Sequence, residues 1–181
     1  GGAGRAPRDR GGPAVTLLGI DLGTTSVKAA VFTGDGARVA AARAAHPTAR
    51  PAPGHAEQDP HDWWSGLIEV VGALGPALAG VTAVGVCAQV NTHLFVDDGG
   101  APVHPAITWQ DGRCGPVAAA LTGRLTPADR ARVRGGLGTV DASHAAARAA
   151  WLAAHRPGAW ARAHRLLAPK DWLVQRLTGT V

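Results

Sequence analysis

Apolar runs separated by short polar turns dominate the first half of the chain. Continuous apolar character over residues 15–20, 27–33 and 81–87 predicts three strands, the first of them buried on both faces. Weaker alternation over residues 37–46 predicts another strand after the glycine turn at 34–36. A predicted helix lies between the strand at 37–46 and the strand at 81–87, and this order of elements is typical of an α/β fold.

That helix has a well-defined start, because Asp59 can cap its N-terminus and Pro60 suits its first position. Apolar residues then recur at spacings of three and four until about residue 75. The apolar face is predicted to comprise Trp64, Leu67, Ile68, Val71 and Leu74. The elements predicted further on are a strand at 93–97, a short extended segment at 105–109 and a short strand or turn at 166–167. Helices are predicted at 112–122, 127–134, 144–154 (capped by Ser143), 158–164 and 169–177 (stopped by Gly179).

A chain of 181 residues has the size of one domain with a substantial core. Residues 1–14 are rich in glycine and arginine, so we expect a disordered tail rather than a signal peptide, followed by one folded unit over 15–181. No apolar run approaches the ~18–20 residues of a membrane span, so no membrane partner is expected. Cys87 and Cys114 fit no zinc spacing, and two thiols suit a reducing compartment, which predicts a cytoplasmic location.

Positive charge is concentrated in the second half of the chain. Residues 1–100 carry seven Lys/Arg and nine Asp/Glu, whereas residues 101–181 carry eleven and four. A basic half can indicate nucleic-acid binding. The arginines at 124, 130, 132, 134, 148, 156, 162, 165 and 176 are instead scattered among alanines on predicted helices, without the aromatic residues that single-strand binding needs. They are interpreted as a solvated helical surface, and no nucleic-acid partner is expected.

The turn between the first two strands carries the first candidate chemistry. Asp21 ends the first strand, and Gly23, Thr24, Thr25 and Ser26 follow with accessible amides and hydroxyls. Converging amide dipoles can cradle an anion, and a neighbouring carboxylate can hold a hydrated Mg²⁺. Phosphate and metal together indicate phosphoryl transfer. Residue types alone fit an ordinary hairpin turn equally well.

Two further loops hold polar groups that could bind hydroxyls. Gln89 and Asn91 directly follow the strand at 81–87, where ligands collect in α/β sheets, although both could simply cap their own turn. Trp109 could pack its indole on the C–H face of a sugar while Asp111 and Arg113 reach the hydroxyls. The alternative for this second loop is a buried tryptophan beside an Asp–Arg ion pair.

Four motifs in register carry a resemblance to a known family. They are Gly19-Ile20-Asp21-Leu22-Gly23-Thr24-Thr25-Ser26-Val27-Lys28, Glu57-Gln58-Asp59-Pro60 with Trp63-Trp64, Pro105-Ala106-Ile107-Thr108-Trp109-Gln110-Asp111-Gly112-Arg113-Cys114, and Leu167-Ala168-Pro169-Lys170-Asp171-Trp172-Leu173. Together they resemble the N-terminal domain of the FGGY carbohydrate kinases, most closely the xylulokinase branch. The resemblance implies an incomplete N-terminal domain of the ribonuclease-H-like type, as in actin, hexokinase and the Hsp70 ATPase. It also implies ATP and Mg²⁺ as cofactors, a sugar or polyol substrate, and a possible homodimer of the full-length form.

The resemblance also implies roles for individual positions. Residues 23–26 match the first phosphate loop, which faces the β- and γ-phosphates of ATP. Asp21 matches the acid that acts on Mg²⁺ through water and holds the reaction geometry. Lys170 and Asp171 match a structural motif. The positions that match the substrate side are Gln89, Val90, Asn91, Trp109, Asp111 and Arg113.

Two departures from the family pattern matter. Xylulokinases have Gln-Met-His in the substrate loop, where Val90 and Asn91 now follow the glutamine, so another ketose or a polyol is as compatible as D-xylulose. His93 is not assumed to substitute for the missing histidine. The family's catalytic base, an aspartate in a later glycine-rich loop, has no counterpart in this chain, so the 181 residues assayed alone are expected to be inactive.

Three functions are therefore considered. The first is ATP-dependent phosphorylation of a sugar or polyol hydroxyl by the full-length form, and the second is a truncated, non-catalytic remnant or scaffold that keeps the fold. The third is a nuclease of the same fold, which would need more carboxylates beside Asp21. Asp97 and Asp98 lie in a predicted turn instead, and Asp111 belongs to the Trp-Gln-Asp motif, so the nuclease is disfavoured.

Overall fold

The computed structural model describes residues 15–132 and 138–180. The tail predicted for residues 1–14 and the end of the helix predicted at 127–134 lie outside the described residues. The strands are β1 (Thr16–Leu22), β2 (Ser26–Thr33), β3 (Arg38–Ala45), β4 (Glu57–Gln58), β5 (Val81–Ala88), β6 (Leu94–Val96), β7 (Ala106–Ile107) and β8 (Arg165–Leu167). The α-helices are α1 (Pro60–Leu74), α2 (Gly115–Arg124), α3 (Pro127–Arg132), α4 (Ala145–His155), α5 (Pro157–Trp160) and α6 (Pro169–Thr178). None of these helices combines the length and apolar character that a membrane span requires.

The central sheet has the strand order β3-β2-β1-β5. β1 to β3 form an antiparallel meander, because tight turns join each strand to the next. α1 then carries the chain across the sheet, so that β5 lies parallel to β1. This mixed sheet confirms the predicted α/β order. Its register places Asp21 opposite Lys28 on one side and Cys87 on the other.

Helix α1 covers one face of the sheet, with Asp59 accepting the His61 N–H at 2.9 Å as the predicted N-cap. The predicted apolar face is rotated from the real one, since Ile68 is exposed and Trp64 only half-buried. Gly66 accounts for the rotation, because it lets the helix approach the sheet until a Cβ there would lie 3.2 Å from Val27 Cγ2. The residues that α1 buries are Pro60, Trp63, Gly66, Leu67, Val70 and Leu74.

The start of helix α4 also differs from the sequence prediction. His144, not Ser143, is its N-cap, with the ring Nδ1 accepting the Ala146 N–H at 3.2 Å. The Ser143 hydroxyl is engaged one turn earlier, where it donates to Asp141 at 2.6 Å. A serine whose hydroxyl already closes a local turn cannot also cap the helix, so the cap moves to the next residue.

Short strand pairs bring the later segments to the sheet. β4 pairs with β7 so that Glu57 faces Ile107 and Gln58 faces Ala106. The Thr108 N–H continues this contact by donating to the Ala56 carbonyl at 3.0 Å. The residues that begin helix α1 are thereby placed next to the loop that carries Trp109.

The opposite face of the sheet is open among the described residues. A cavity of about 800 Å³ lies on it, lined by Gly19, Asp21, Lys28 and Gly85 among others. Leu17 is 38% exposed, so the prediction that the first strand is buried on both faces is wrong for this part of the chain. Continuous apolar sequence fixes a strand, but burial requires a covering element, and α1 supplies one on a single face.

Two glycines of α1 give a matched test of this packing. Gly72→Ala places its methyl group in open space, so we expect about 0.5–1 kcal/mol of added stability from helix propensity. Gly66→Ala has the same propensity gain, but its methyl group meets Val27, so the net gain should be smaller or reversed. Equal stabilisation by the two substitutions in urea unfolding would contradict the close helix–sheet contact.

Candidate functional site

Three backbone carbonyls of the turn between β1 and β2 accept hydrogen bonds from neighbouring residues. His46 Nε2 donates to the Gly23 carbonyl at 3.0 Å, and the His46 N–H donates to the Thr25 carbonyl at 3.1 Å. Gln58 Nε2 donates to the Thr24 carbonyl at 2.7 Å. A trans peptide points its N–H away from its C=O, so the N–H of each of these peptide units is directed away from the group that binds its carbonyl.

Two of those amides are available to a ligand. The N–H groups of Thr24 and Thr25 have no acceptor within residues 15–132 and 138–180. The Gly23 N–H closes the turn by donating to the Ser26 carbonyl at 3.0 Å. The Ser26 hydroxyl is buried and has no hydrogen-bond partner among the described residues. The turn therefore has the geometry of a small anion cradle centred on Thr24 and Thr25.

Asp21 lies at the end of β1 beside this turn. Its Oδ2 is 3.3 Å from Lys28 Nζ, and Cys87 Sγ lies 3.7 Å from its Oδ1. Both partners of the Asp21–Lys28 pair are about half exposed, so the pair is weak and Asp21 can exchange partners. No group of three or more His, Cys, Asp or Glu among the described residues could hold a metal by itself. One carboxylate acting with phosphate oxygens and water fits Mg²⁺, which keeps much of its hydration shell.

A cavity of about 380 Å³ opens next to the turn. Trp109, which is 49% exposed, forms one wall and donates its Nε1–H to Thr24 Oγ1 at 3.0 Å. The structure thus joins the two regions that the sequence analysis treated separately. The residues that line the cavity are Thr24, Gln89, Val90, Asn91 and Trp109.

Asn91 and Gln89 differ in what they offer to a ligand. Asn91 has a left-handed backbone with φ of 57°, which asparagine tolerates, and its exposed amide has no hydrogen-bond partner among the described residues. The Gln89 amide is engaged on both sides, because its Nε2 donates to Gln58 Oε1 at 2.7 Å and its Oε1 accepts from Thr92 at 3.1 Å. Gln89 therefore keeps only one N–H and one lone pair for a ligand, whereas Asn91 can offer its whole amide to a hydroxyl group.

Asp111 and Arg113 lie outside the cavity lining and form a buried ion triad with Glu57. Arg113 contacts Asp111 Oδ2 through Nη2 at 2.6 Å and Glu57 Oε1 through Nη1 at 2.6 Å. Burial opposes the charge of Asp111, but hydrogen bonds from Arg113 and the Ala56 N–H outweigh it and lower the pKa of that carboxyl. The Arg113 guanidinium also lies 4.9 Å from the centre of the Trp151 ring. The ion pair of the alternative interpretation is therefore present, but Trp109, which is 49% exposed, is not the buried tryptophan of that interpretation.

Arg148 is a site-supporting residue that the sequence analysis assigned incorrectly. It was grouped with the solvated helical arginines, but its side chain is fully buried. Its guanidinium donates to the carbonyls of Ile107 and Thr108, which directly precede Trp109. Burial lowers its pKa to about 10. Its burial could have been predicted from its position on α4, because Ala147 and Trp151 lie on the buried face of the same helix.

His93 does not face the cavity. Its backbone pairs with Ile107 on both sides, and its half-buried ring is not part of the cavity lining. Burial and the nearby charge of Arg148 lower the pKa of His93 to about 4. His93 is therefore not placed to replace the histidine of the xylulokinase substrate loop.

Solved structures of sugar kinases share this fold. Xylulose kinase from Rhodospirillum rubrum matches with a TM-score of 0.84 and 27% identity, over 91% of this chain and 34% of that chain. The described fold is therefore the ribonuclease-H-like fold of carbohydrate kinases, as the four motifs predicted.

The family model for the N-terminal domain of FGGY carbohydrate kinases matches residues 16–181, and the chain belongs to this family. Xylulose kinase from Escherichia coli strain K12 is 34% identical over 164 residues. Glycerol kinase from Rhodospirillum centenum is 39% identical over 174 residues. Each alignment covers 90% of this chain, but the chain spans only about a third of the length of these relatives.

The ion triad predicts a large stability effect at Arg113. Arg113→Met would leave Asp111 and Glu57 buried without a counter-charge, so we expect a loss of about 3–5 kcal/mol in the free energy of unfolding. Lys170→Met removes an exposed pair with Asp171 and should cost less than about 1 kcal/mol. Denaturant unfolding measures both, and similar losses would contradict a buried, structural Arg113.

The lowered pKa of His93 predicts acid sensitivity. Below its ordinary pKa of 6.5 the unfolded chain binds a proton at His93 that the folded chain does not accept until about pH 4. The contribution of His93 to the free energy of unfolding should therefore be constant above pH 6.5 and fall as the pH decreases towards 4. His93→Gln should give a shallower fall in urea midpoint over this interval. Identical pH slopes for the two proteins would refute the assignment.

Proposed function

We propose that the protein to which this chain belongs transfers the γ-phosphoryl group of ATP to a hydroxyl of a sugar or polyol. One observation carries the proposal: Thr24 belongs both to the amide cradle and to the cavity, and its hydroxyl is bonded to the cavity wall at Trp109. A phosphate on the cradle and a hydroxyl in the cavity would therefore be neighbours. Their proximity is the main requirement of phosphoryl transfer.

The cradle would hold the phosphates of ATP. The N–H groups of Thr24 and Thr25 have no acceptor among the described residues, and each points away from a carbonyl that His46 or Gln58 binds. Asp21 would hold Mg²⁺ through water, and the bound metal would neutralise charge on the phosphate oxygens. The weak pair with Lys28 leaves Asp21 able to take this role.

The cavity would hold the acceptor. The exposed face of Trp109 can pack against the C–H groups of a polyol, and the free amide of Asn91 can both donate to and accept from a hydroxyl. Gln89 and Val90 complete the lining, while Asp111 and Arg113 act from outside it by fixing the loop that carries Trp109. The catalytic base would come from a part of the protein beyond these residues.

Location and assembly remain predictions within this proposal. Cys87 and Cys114 are both free, which suits a cytoplasmic enzyme. A homodimer of the full-length protein is expected from the family resemblance alone.

The proposal is tested by assaying the full-length protein with ATP, Mg²⁺ and a panel of sugars and polyols that includes D-xylulose and glycerol. Asp21→Asn should lower kcat by about 100-fold or more, because it removes charge where the metal would be held. Asp35→Asn makes the same chemical change in the exposed turn after β2 and should leave kcat unchanged. A wild-type protein that phosphorylates nothing in the panel would favour the non-catalytic scaffold. The 181-residue chain alone is expected to be inactive.

Substrate choice is tested at the substrate loop. Asn91→His restores the side chain that xylulokinases carry, and the left-handed backbone at this position accommodates histidine as well as asparagine. We expect the ranking of kcat/KM values to move towards ketopentoses. An unchanged ranking would show that Asn91 does not determine substrate choice.

A further inference from the structure

A closed ring of hydrogen bonds surrounds the junction between the turn and the cavity. Gln58 Nε2 donates to the Thr24 carbonyl at 2.7 Å, and Gln58 Oε1 accepts from Gln89 Nε2 at 2.7 Å. Gln89 Oε1 accepts from Thr92 Oγ1 at 3.1 Å, which in turn accepts the Trp109 N–H at 3.1 Å. Trp109 Nε1–H returns to Thr24 Oγ1 at 3.0 Å. The five residues form one continuous circuit, called the amide ring below.

The donors and acceptors of the amide ring allow one orientation of each side chain. Gln58 is buried, and its Nε2 also donates to Thr48 Oγ1 at 2.7 Å while its Oε1 also accepts from Trp63 Nε1 at 3.0 Å. Reversing this amide would set its NH₂ against the Trp63 N–H and its oxygen against the Thr24 carbonyl, two groups whose hydrogen-bonding roles cannot change. An unsatisfied buried polar group costs about 1–3 kcal/mol, so the reversal is strongly disfavoured.

Thr92 is the second fixed point of the amide ring. Its side chain is fully buried, and its single hydroxyl both donates to Gln89 and accepts from the Trp109 backbone. The hydroxyl is thus the only link in the described contacts that joins the loop after β5 to the Trp109 amide. Neither Thr92 nor Gln58 lines the cavity, so neither is placed to touch a substrate.

The amide ring connects four segments of the chain: the turn after β1, strand β4, the loop after β5 and the loop after β7. A displacement of Thr24 therefore strains the bond that holds the Trp109 indole, and a displacement of Trp109 strains the turn. We propose that Gln58 and Thr92 are positioning residues that couple nucleotide binding at the turn to acceptor binding in the cavity. This inference rests on the proposed kinase function.

The proposed coupling can be measured as the change in acceptor affinity that a bound nucleotide causes. If a nucleotide on the turn tightens acceptor binding by a factor α, the acceptor must tighten nucleotide binding by the same factor. Calorimetry on the full-length protein gives α from the Kd of D-xylulose or glycerol, whichever the wild type phosphorylates, with and without a β,γ-imido ATP analogue and Mg²⁺. We expect α of about fivefold or more for the wild type.

Matched threonine variants separate positioning from stability. Thr92→Val keeps the side-chain shape but breaks two bonds of the amide ring, and it should bring α close to 1 and lower kcat/KM by about tenfold. Thr48→Val removes a hydroxyl that also bonds to Gln58 but lies outside the ring, so it should lower the thermal midpoint and leave α unchanged. Thr92→Ser keeps the hydroxyl and should restore most of α. Gln58→Met, if it folds, should behave like Thr92→Val.

The outcomes distinguish the inference from the function on which it rests. Phosphorylation with α near 1 in the wild type, or with the same α in Thr92→Val as in Thr48→Val, overturns the coupling role and leaves the kinase function standing. A wild-type protein that binds neither nucleotide nor acceptor overturns both. Loss of α in Thr92→Val with recovery in Thr92→Ser supports the inference, since a merely structural hydroxyl would change the thermal midpoint alone.

Discussion

The need to satisfy one buried amide organises this domain. Gln58 lies where four segments meet, and burying its side chain is tolerable only because every donor and acceptor finds a partner. Those partners are the carbonyl of Thr24, the indole of Trp63 on α1, and the amide of Gln89 in the loop after β5. The phosphate turn, the first helix and the cavity wall are thus held by a single neutral group.

Charged and neutral contacts have different places around the site. The Glu57–Arg113–Asp111 triad is buried away from the cavity, where full pairing offsets the desolvation of its charges. The neutral amide ring surrounds the junction itself, so it adds no charge that would compete with a phosphate. The exposed pair of Asp21 and Lys28 lies on the open face beside the turn, and its weakness leaves the carboxylate able to change partners.

Much of the fold was accessible from the sequence because its signals are local. Apolar runs identified β1, β2 and β5, and the Asp59–Pro60 start identified α1, since strand period and helix caps depend on residues only a few positions apart. Four motifs in order were enough to indicate the family. The same local signals misplaced the face of α1 and the cap of α4, because Gly66 and Asp141 act through contacts that periodicity does not encode.

The sequence by itself determined the main strands, the start of α1 and the class of protein, and it named Asp21, Thr24 and Trp109 as candidates. Only the tertiary structure decided which polar groups are free and which are engaged. The Asn91 amide is free among the described residues whereas the Gln89 amide is partly engaged, and Arg148 is buried rather than solvated. The physical reason is distance along the chain: the bond from Trp109 to Thr24 joins residues 85 positions apart, and no local pattern can specify such a partner.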